Sequence, residues 1–190
     1  MQKGEIKRNL LGALEVALLM PNIEKRFRSD YNEALRSFFV PLILFPFALI
    51  GIYMFQPPST AGLTDDTISR LYSLRYAFAL GMFFGLVYVI ANKLDRGEHF
   101  VQFVTATNWA AVPSTIALIP VLLMVSGGAY SADEMMPFLM CVIFYSYALT
   151  AFIAMRVFRM PWEMGMFVAF VALAVNQGSF RIVDWVAQLI

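Results

Sequence analysis

Asn108 and Trp109 sit in residues 103–120, FVTATNWAAVPSTIALIP, a stretch without charge that holds four Ser or Thr hydroxyls and two prolines. An asparagine in such surroundings either bonds a neighbouring helix or belongs to a polar pathway, because an unpaired amide in hydrocarbon costs several kcal/mol. Tyr145, Ser146, Tyr147 and Thr150 make a second polar group in an apolar stretch, and they either line a passage or bond kinked neighbours. Other chemistry is sparse. His99, the single histidine, stands beside Glu98 and Asp95 in a charged stretch, and no serine has a base at a spacing that nominates a nucleophile. The lone Cys141 excludes an intrachain disulfide and a multi-cysteine metal site. Met135, Met136, Met140 and Met155 fit irregular packing. There is no phosphate loop, nucleotide fingerprint or pair of catalytic carboxylates. The expectation is a chain without catalysis, cofactor, metal or nucleic-acid partner.

Composition sets the solvent in which these residues work. Hydrophobic residues make up 60% of the 190 and charged residues 14%, with a mean hydropathy of +0.69. Soluble domains carry about 25% charged residues. The chain therefore reads as an all-α integral membrane protein. Intervals without Asp, Glu, Lys or Arg run over 37–64, 76–92, 99–132, 135–155 and 164–180. About 20 apolar residues cross a bilayer core, so each interval holds one helix. Five spans are expected at about 38–55, 73–92, 102–125, 135–155 and 162–178. The intervals 76–92 and 164–180 are short. Arg75 and Lys93 lengthen the first by laying their stems along apolar surface, and the second runs on toward Trp185. On this reading no ionisable residue lies clearly within a span, where proton relays and ion pumps usually keep one.

Eleven of the fourteen Lys and Arg residues fall in the N-terminal segment, the second loop and the fourth loop, and the third loop, SGGAYSADE, has none. That asymmetry predicts a cytoplasmic N-terminus and an extracytoplasmic C-terminus. With no organelle signal, the bacterial inner membrane is the expected location.

Residues 1–36 read as a cytoplasmic segment and 37–190 as the five-helix domain. Ile6, Leu10, Leu14 and Leu18 recur every fourth residue, with Lys7, Arg8 and Glu15 off that stripe. This predicts an amphipathic helix in the membrane interface, ended by Pro21. Asp30 and Glu33 have the spacing of a capping box for the next helix. Lys25, Arg26 and Arg28 are expected at the anionic leaflet surface, as topology determinants or as a lipid or partner patch.

Small residues mark where helices approach. Ala106, Ala110 and Ser114 share one face of the third span, and Gly81 and Gly85 form a GxxxG pattern in the second. These two faces are expected to pack together, with Asn108 bonded near their cytoplasmic ends. Gly165 and Ala169 offer a weaker face in the fifth span. Pro113 and Pro120 each leave a carbonyl without its helical donor, and Thr107, Ser114 and Thr115 are candidates to satisfy it.

A polar N-terminal segment, five spans, and the loop LDRGEHF leading to a span with a central proline resemble the Yip (Ypt-interacting protein) family and its bacterial relatives. Phe100 or Phe103 matches that family's loop aromatic, Asn108 and Trp109 stand where its Gly-Tyr pair is found, and Pro113 matches its proline. The resemblance implies a five-span membrane fold over about residues 35–190. The acidic-aromatic N-terminal motif of eukaryotic members is missing, so binding to small GTPases is not implied. Two functions remain open: a non-catalytic scaffold or accessory subunit that packs with other membrane proteins or with itself, and an oligomeric transport component for a small solute or lipid.

Overall fold

The computed structural model describes residues 3–55, 60 and 62–189. Among the described residues seven α-helices follow in order: α1 Lys3–Ala17, α2 Tyr31–Ser37, α3 Phe39–Met54, α4 Asp65–Lys93, α5 Phe100–Ser126, α6 Ala132–Val157 and α7 Trp162–Ala187. No strand occurs among the described residues. Five helical stretches are long and apolar enough to cross a membrane: Tyr31–Met54, Asp65–Lys93, Gly97–Ser126, Ala132–Val157 and Trp162–Ala187. The chain is thus an all-helical, multi-pass membrane protein. Large apolar side chains point outward along these helices, as Leu74, Phe144 and Phe170 do at 70%, 65% and 66% exposure. Such a surface suits lipid and not water.

α5 is the hub, packed against α1, α2, α3 and α6, while α7 joins α6 to α4. The bundle has two unlike ends. One, here called the near end, carries the N-terminal segment and the α4–α5 and α6–α7 connections. The other, the far end, carries the α3–α4 and α5–α6 connections. Phe103 of α5 fills the near half. Its ring stacks on Phe158 at 4.9 Å between centroids and meets Phe83 and Phe84 of α4 at 6.1 and 6.4 Å. Toward the far end, Ile68 and Tyr72 of α4 and Val183 of α7 form a separate buried cluster with Leu49, Ile52 and Tyr53 of α3 around them. No residue of α5 or α6 joins that cluster. α4 with α7 is here one arm of the bundle and the first half of α6 the other.

The N-terminal segment lies across the near half. Glu5, Asn9, Ala13 and Val16 of α1 are buried, whereas Ile6, Leu10 and Leu14 face away from the protein. Along α1, Glu5 meets Arg36 and Asn9 meets Glu33 of α2, and the carbonyl of Ala17 accepts from the Tyr145 hydroxyl of α6 at 2.9 Å. The helix packs chiefly on α5, with polar contacts to α2 along its length and to α6 at its end. Its end precedes Pro21: Leu19 takes a φ of 52°, and the amide of Met20 reaches back to the Glu15 carbonyl at 2.9 Å. This is the helix-ending turn in which glycine is usual. The returning chain is held on α5, where the Gln102 amide donates to the carbonyls of Glu24 and Phe27.

Candidate functional site

Arg75 is placed within α4, ten residues after its start at Asp65, and is only 9% exposed. Its guanidinium lies 3.3 Å from the centroid of the Phe180 ring and donates through Nη2 to Oδ1 of Asn176, both on α7. Because guanidinium only donates, the Asn176 amide must present its oxygen to Arg75. Its nitrogen then donates to the Tyr147 hydroxyl of α6 at 3.0 Å, which leaves the phenolic proton free. Arg75 Nε is buried with no acceptor, and no salt bridge to Arg75 occurs among the described residues. Arg75, Asn176, Tyr147 and Ser146 border a cavity of about 320 Å³ whose other walls include Tyr76, Leu80, Phe83 and Val175. The cavity lies between the arms, in the middle of the helices. It combines one fixed cation, free donors and apolar walls.

Arg75 lies inside a helix that continues past it to Asp65, and its guanidinium is held by α7 and does not extend along the outer surface of α4. The interval 76–92 was short for that reason: the charge bounding it belongs to the helix. Asn176, in the other short interval, is its partner.

The residues singled out in the third span are gathered at the near end instead. Asn108 is 2% exposed, and its amide donates to Ser37 Oγ at 2.8 Å, which in turn donates to the Ala34 carbonyl at 2.7 Å. Its partner is thus the first span and not the second. Removing the amide leaves Ser37 still bonded, and interhelical bonds of this kind average about 0.6 kcal/mol. Asn108→Ala is accordingly expected to lower stability by about 1 kcal/mol or less in a detergent unfolding titration. Trp109 and Pro113 are buried beside it, and the indole N–H finds no acceptor among the described residues. Ala106 and Ala110 are buried, and Ser114 is partly so. The Ser114 hydroxyl donates to the Ala110 carbonyl at 3.1 Å, so it does not serve the Trp109 carbonyl that Pro113 frees. Thr107 Oγ1 has no partner.

Gly81 and Gly85 do not pack on the third span. A Cβ on either would meet nothing within 4 Å, because Phe83, Phe84, Val87 and Ala91 form the buried stripe of α4 and turn the glycines outward. Aromatic rings separate α4 from α5 here, and α4 rests on α7. The close approach is at Gly165, where an added Cβ would stand 2.6 Å from the Ala151 carbonyl oxygen of α6. Of the three basic residues, Lys25 and Arg28 are exposed, but Arg26 is bound to Glu15 at 2.6 Å and leaves the proposed patch. That hydrogen bond also raises the Arg26 pKa above its ordinary value. Asp30 does cap α2, accepting from the Glu33 amide at 2.8 Å. Glu33, however, does not reach back to close the box, since its carboxylate holds Arg8 at 2.6 Å and Asn9 at 2.8 Å.

Ser146 and Thr150 bond carbonyls one turn back in their own helix. Of the polar group in the fourth span, Tyr147 and Ser146 border the cavity. No group of three His, Cys, Asp or Glu among the described residues could hold a metal ion. No protein-family model matches the chain, and neither does any curated protein or solved structure.

Proposed function

We propose that the protein takes up a solute in the cavity between its arms, as a component of small-solute or lipid transport. Arg75 carries this reading. A charged side chain within a membrane-spanning helix is costly to insert, and such residues typically face a pathway or a binding site. The scaffold reading drew on the lack of any such residue, and Arg75 removes that support. One observation still favours assembly: the outward Gly81–Gly85 face is open, which suits contact with a second copy or another membrane protein. Five spans form an odd unit, so pairing of two copies agrees with the transport reading.

The distribution of Lys and Arg supports placing the near end in the cytoplasm of a bacterium and the far end in the periplasm. In that orientation the outward stripe of Ile6, Leu10 and Leu14 supports an α1 lying in the cytoplasmic leaflet interface. Exposed Lys25 and Arg28 then suit anionic headgroups. The five-span, Yip-like reading agrees with this arrangement and adds no reaction.

Thiol labelling tests the cavity. In a Cys141→Ala background, Ser146→Cys is expected to react with a membrane-impermeant thiol reagent added at the periplasmic face, whereas Phe144→Cys, directed at lipid, stays unreacted. A Ser146→Cys protein that reacts only after denaturation would overturn the reading.

A further inference from the structure

We infer that the Arg75 cavity binds the carboxylate of a small amphipathic acid, with the acid's aliphatic part on the apolar wall. This rests on the preceding reading that the cavity is open to a solute, and it names the chemical class that the cavity selects.

The donors and acceptors decide the sign of the ligand. Arg75 offers a buried Nε–H with no acceptor, and Tyr147 keeps a free hydroxyl proton because its oxygen already accepts from Asn176. The Asn176 oxygen is taken by Arg75. Ser146 donates to its own helix at 2.9 Å. The unsatisfied donors are Arg75 Nε and the Tyr147 hydroxyl, Ser146 keeps only acceptor lone pairs, and one full positive charge lacks a counter-ion among the described residues. A cationic ligand would meet Arg75 with nothing to offset the repulsion. A neutral one would leave the guanidinium charge unbalanced in a low-dielectric surrounding.

Charge count and shape narrow the class. One guanidinium balances one negative charge, so a monoanion gives a neutral buried pair, whereas a phosphate dianion leaves an excess charge and a phosphate monoanion has no aliphatic part for the apolar wall. Arg75 Nε and the Tyr147 hydroxyl can each donate to one oxygen of a carboxylate, and hydrogen bonds from a guanidinium to a carboxylate are among the stronger ones. Leu80, Phe83, Ile143 and Val175 make the rest of the wall largely apolar, and the Tyr76 hydroxyl among them already donates to the Pro41 carbonyl at 3.4 Å, so little is left to pair with a sugar or a peptide backbone. The cavity volume of about 320 Å³ admits a short aliphatic chain. The same chemistry is presented by a free short-chain acid and by the head of a longer fatty acid arriving from the bilayer.

The test uses the whole protein in lipid nanodiscs, with thermal unfolding followed against added hexanoate, dodecanoate, hexan-1-ol and inorganic phosphate. Hexanoate is expected to raise the unfolding temperature in a saturable way, with hexan-1-ol and phosphate inert. Arg75→Gln should weaken the apparent hexanoate affinity by about tenfold or more, the loss of a hydrogen bond to a charged group. Arg75→Lys, which keeps the charge without the fork, should recover part of it and serves if the Gln variant does not fold. Dodecanoate acting at much lower concentration than hexanoate supports a bilayer source, and equal action supports an aqueous one. Equal stabilisation by hexan-1-ol or phosphate, or an undiminished hexanoate response in Arg75→Gln, would overturn the carboxylate assignment. A labelled Ser146→Cys protein with no hexanoate response would retire the ligand class alone. An unlabelled one would retire the uptake reading.

Discussion

Replacing Gly165 by leucine is expected to part α6 from α7 and leave little folded protein, whereas Gly81→Leu and Gly85→Leu are expected to leave the fold of a single copy intact. Even a methyl group at position 165 would stand 2.6 Å from the Ala151 carbonyl oxygen and 3.2 Å from Met155 Cβ. The first of these neighbours is backbone, so no rotamer change relieves it, and the helices must separate. Overpacking of this kind costs about 1–3 kcal/mol for small additions. Gly165→Ala should fall in that range and Gly165→Leu beyond it. The effect reaches further than the contact itself, because the α6–α7 pairing also sets Tyr147 against Asn176 and hence the position of Arg75. Monodispersity by size-exclusion chromatography, together with an unfolding titration, separates the cases. If Gly81→Leu and Gly85→Leu preserve the monomer yet change its assembly in the membrane, the outward face has found its partner. A stable Gly165→Leu protein would contradict the close crossing.

Gly165 and Gly81 show what a single sequence reveals about this bundle and what it conceals. Five spans were legible because lipid forbids scattered charge, so the intervals between charged residues follow the helices. Which face of each helix meets which neighbour was not legible. GxxxG at 81–85 is the better-formed pattern, yet Phe83 and Phe84 take the interior, and bulky rings with more area to bury decide the rotation of α4. Gly165, with only Ala169 to support it as a pattern, makes the tight contact. Arg75 escaped for a related reason. A charge at the edge of an apolar interval reads as the end of a helix, and its partner Asn176 lies 101 residues away. The signal was present in the length of the intervals: 76–92 and 164–180 are both too short to cross a bilayer comfortably, and they belong to the two helices whose polar residues meet. Asn108 was correctly marked as a residue in need of a partner. Its partner, Ser37, could be found only from the way α2 runs into the first span.

Glu33→Leu is expected to release the N-terminal segment and to destabilise the protein by about 3–5 kcal/mol, the usual cost of breaking a buried ion pair by removing one partner. The Glu33 side chain is 5% exposed and accepts from Arg8 at 2.6 Å and Asn9 at 2.8 Å. Its loss strands both donors. Arg8 keeps only the Arg26 carbonyl at 2.9 Å, and Asn9 Nδ2 keeps nothing that would hold α1 to α2. Adding Arg8→Met and Asn9→Leu removes the stranded groups, so the triple variant should recover most of the stability, since an apolar replacement of a whole buried polar set is often near neutral. Limited trypsin digestion reads the same event: Lys7, Arg8 and Lys25 should become cleavable in Glu33→Leu and be protected in the parent. The consequence for the cavity follows from where this network sits. Glu33–Arg8, Glu5–Arg36, Gln102 and Tyr145 bind the N-terminal segment across α2, α5 and α6 at the near end. Glu33→Leu loosens this network, so it should also raise the reactivity of Ser146→Cys toward an impermeant reagent added at the near-end face.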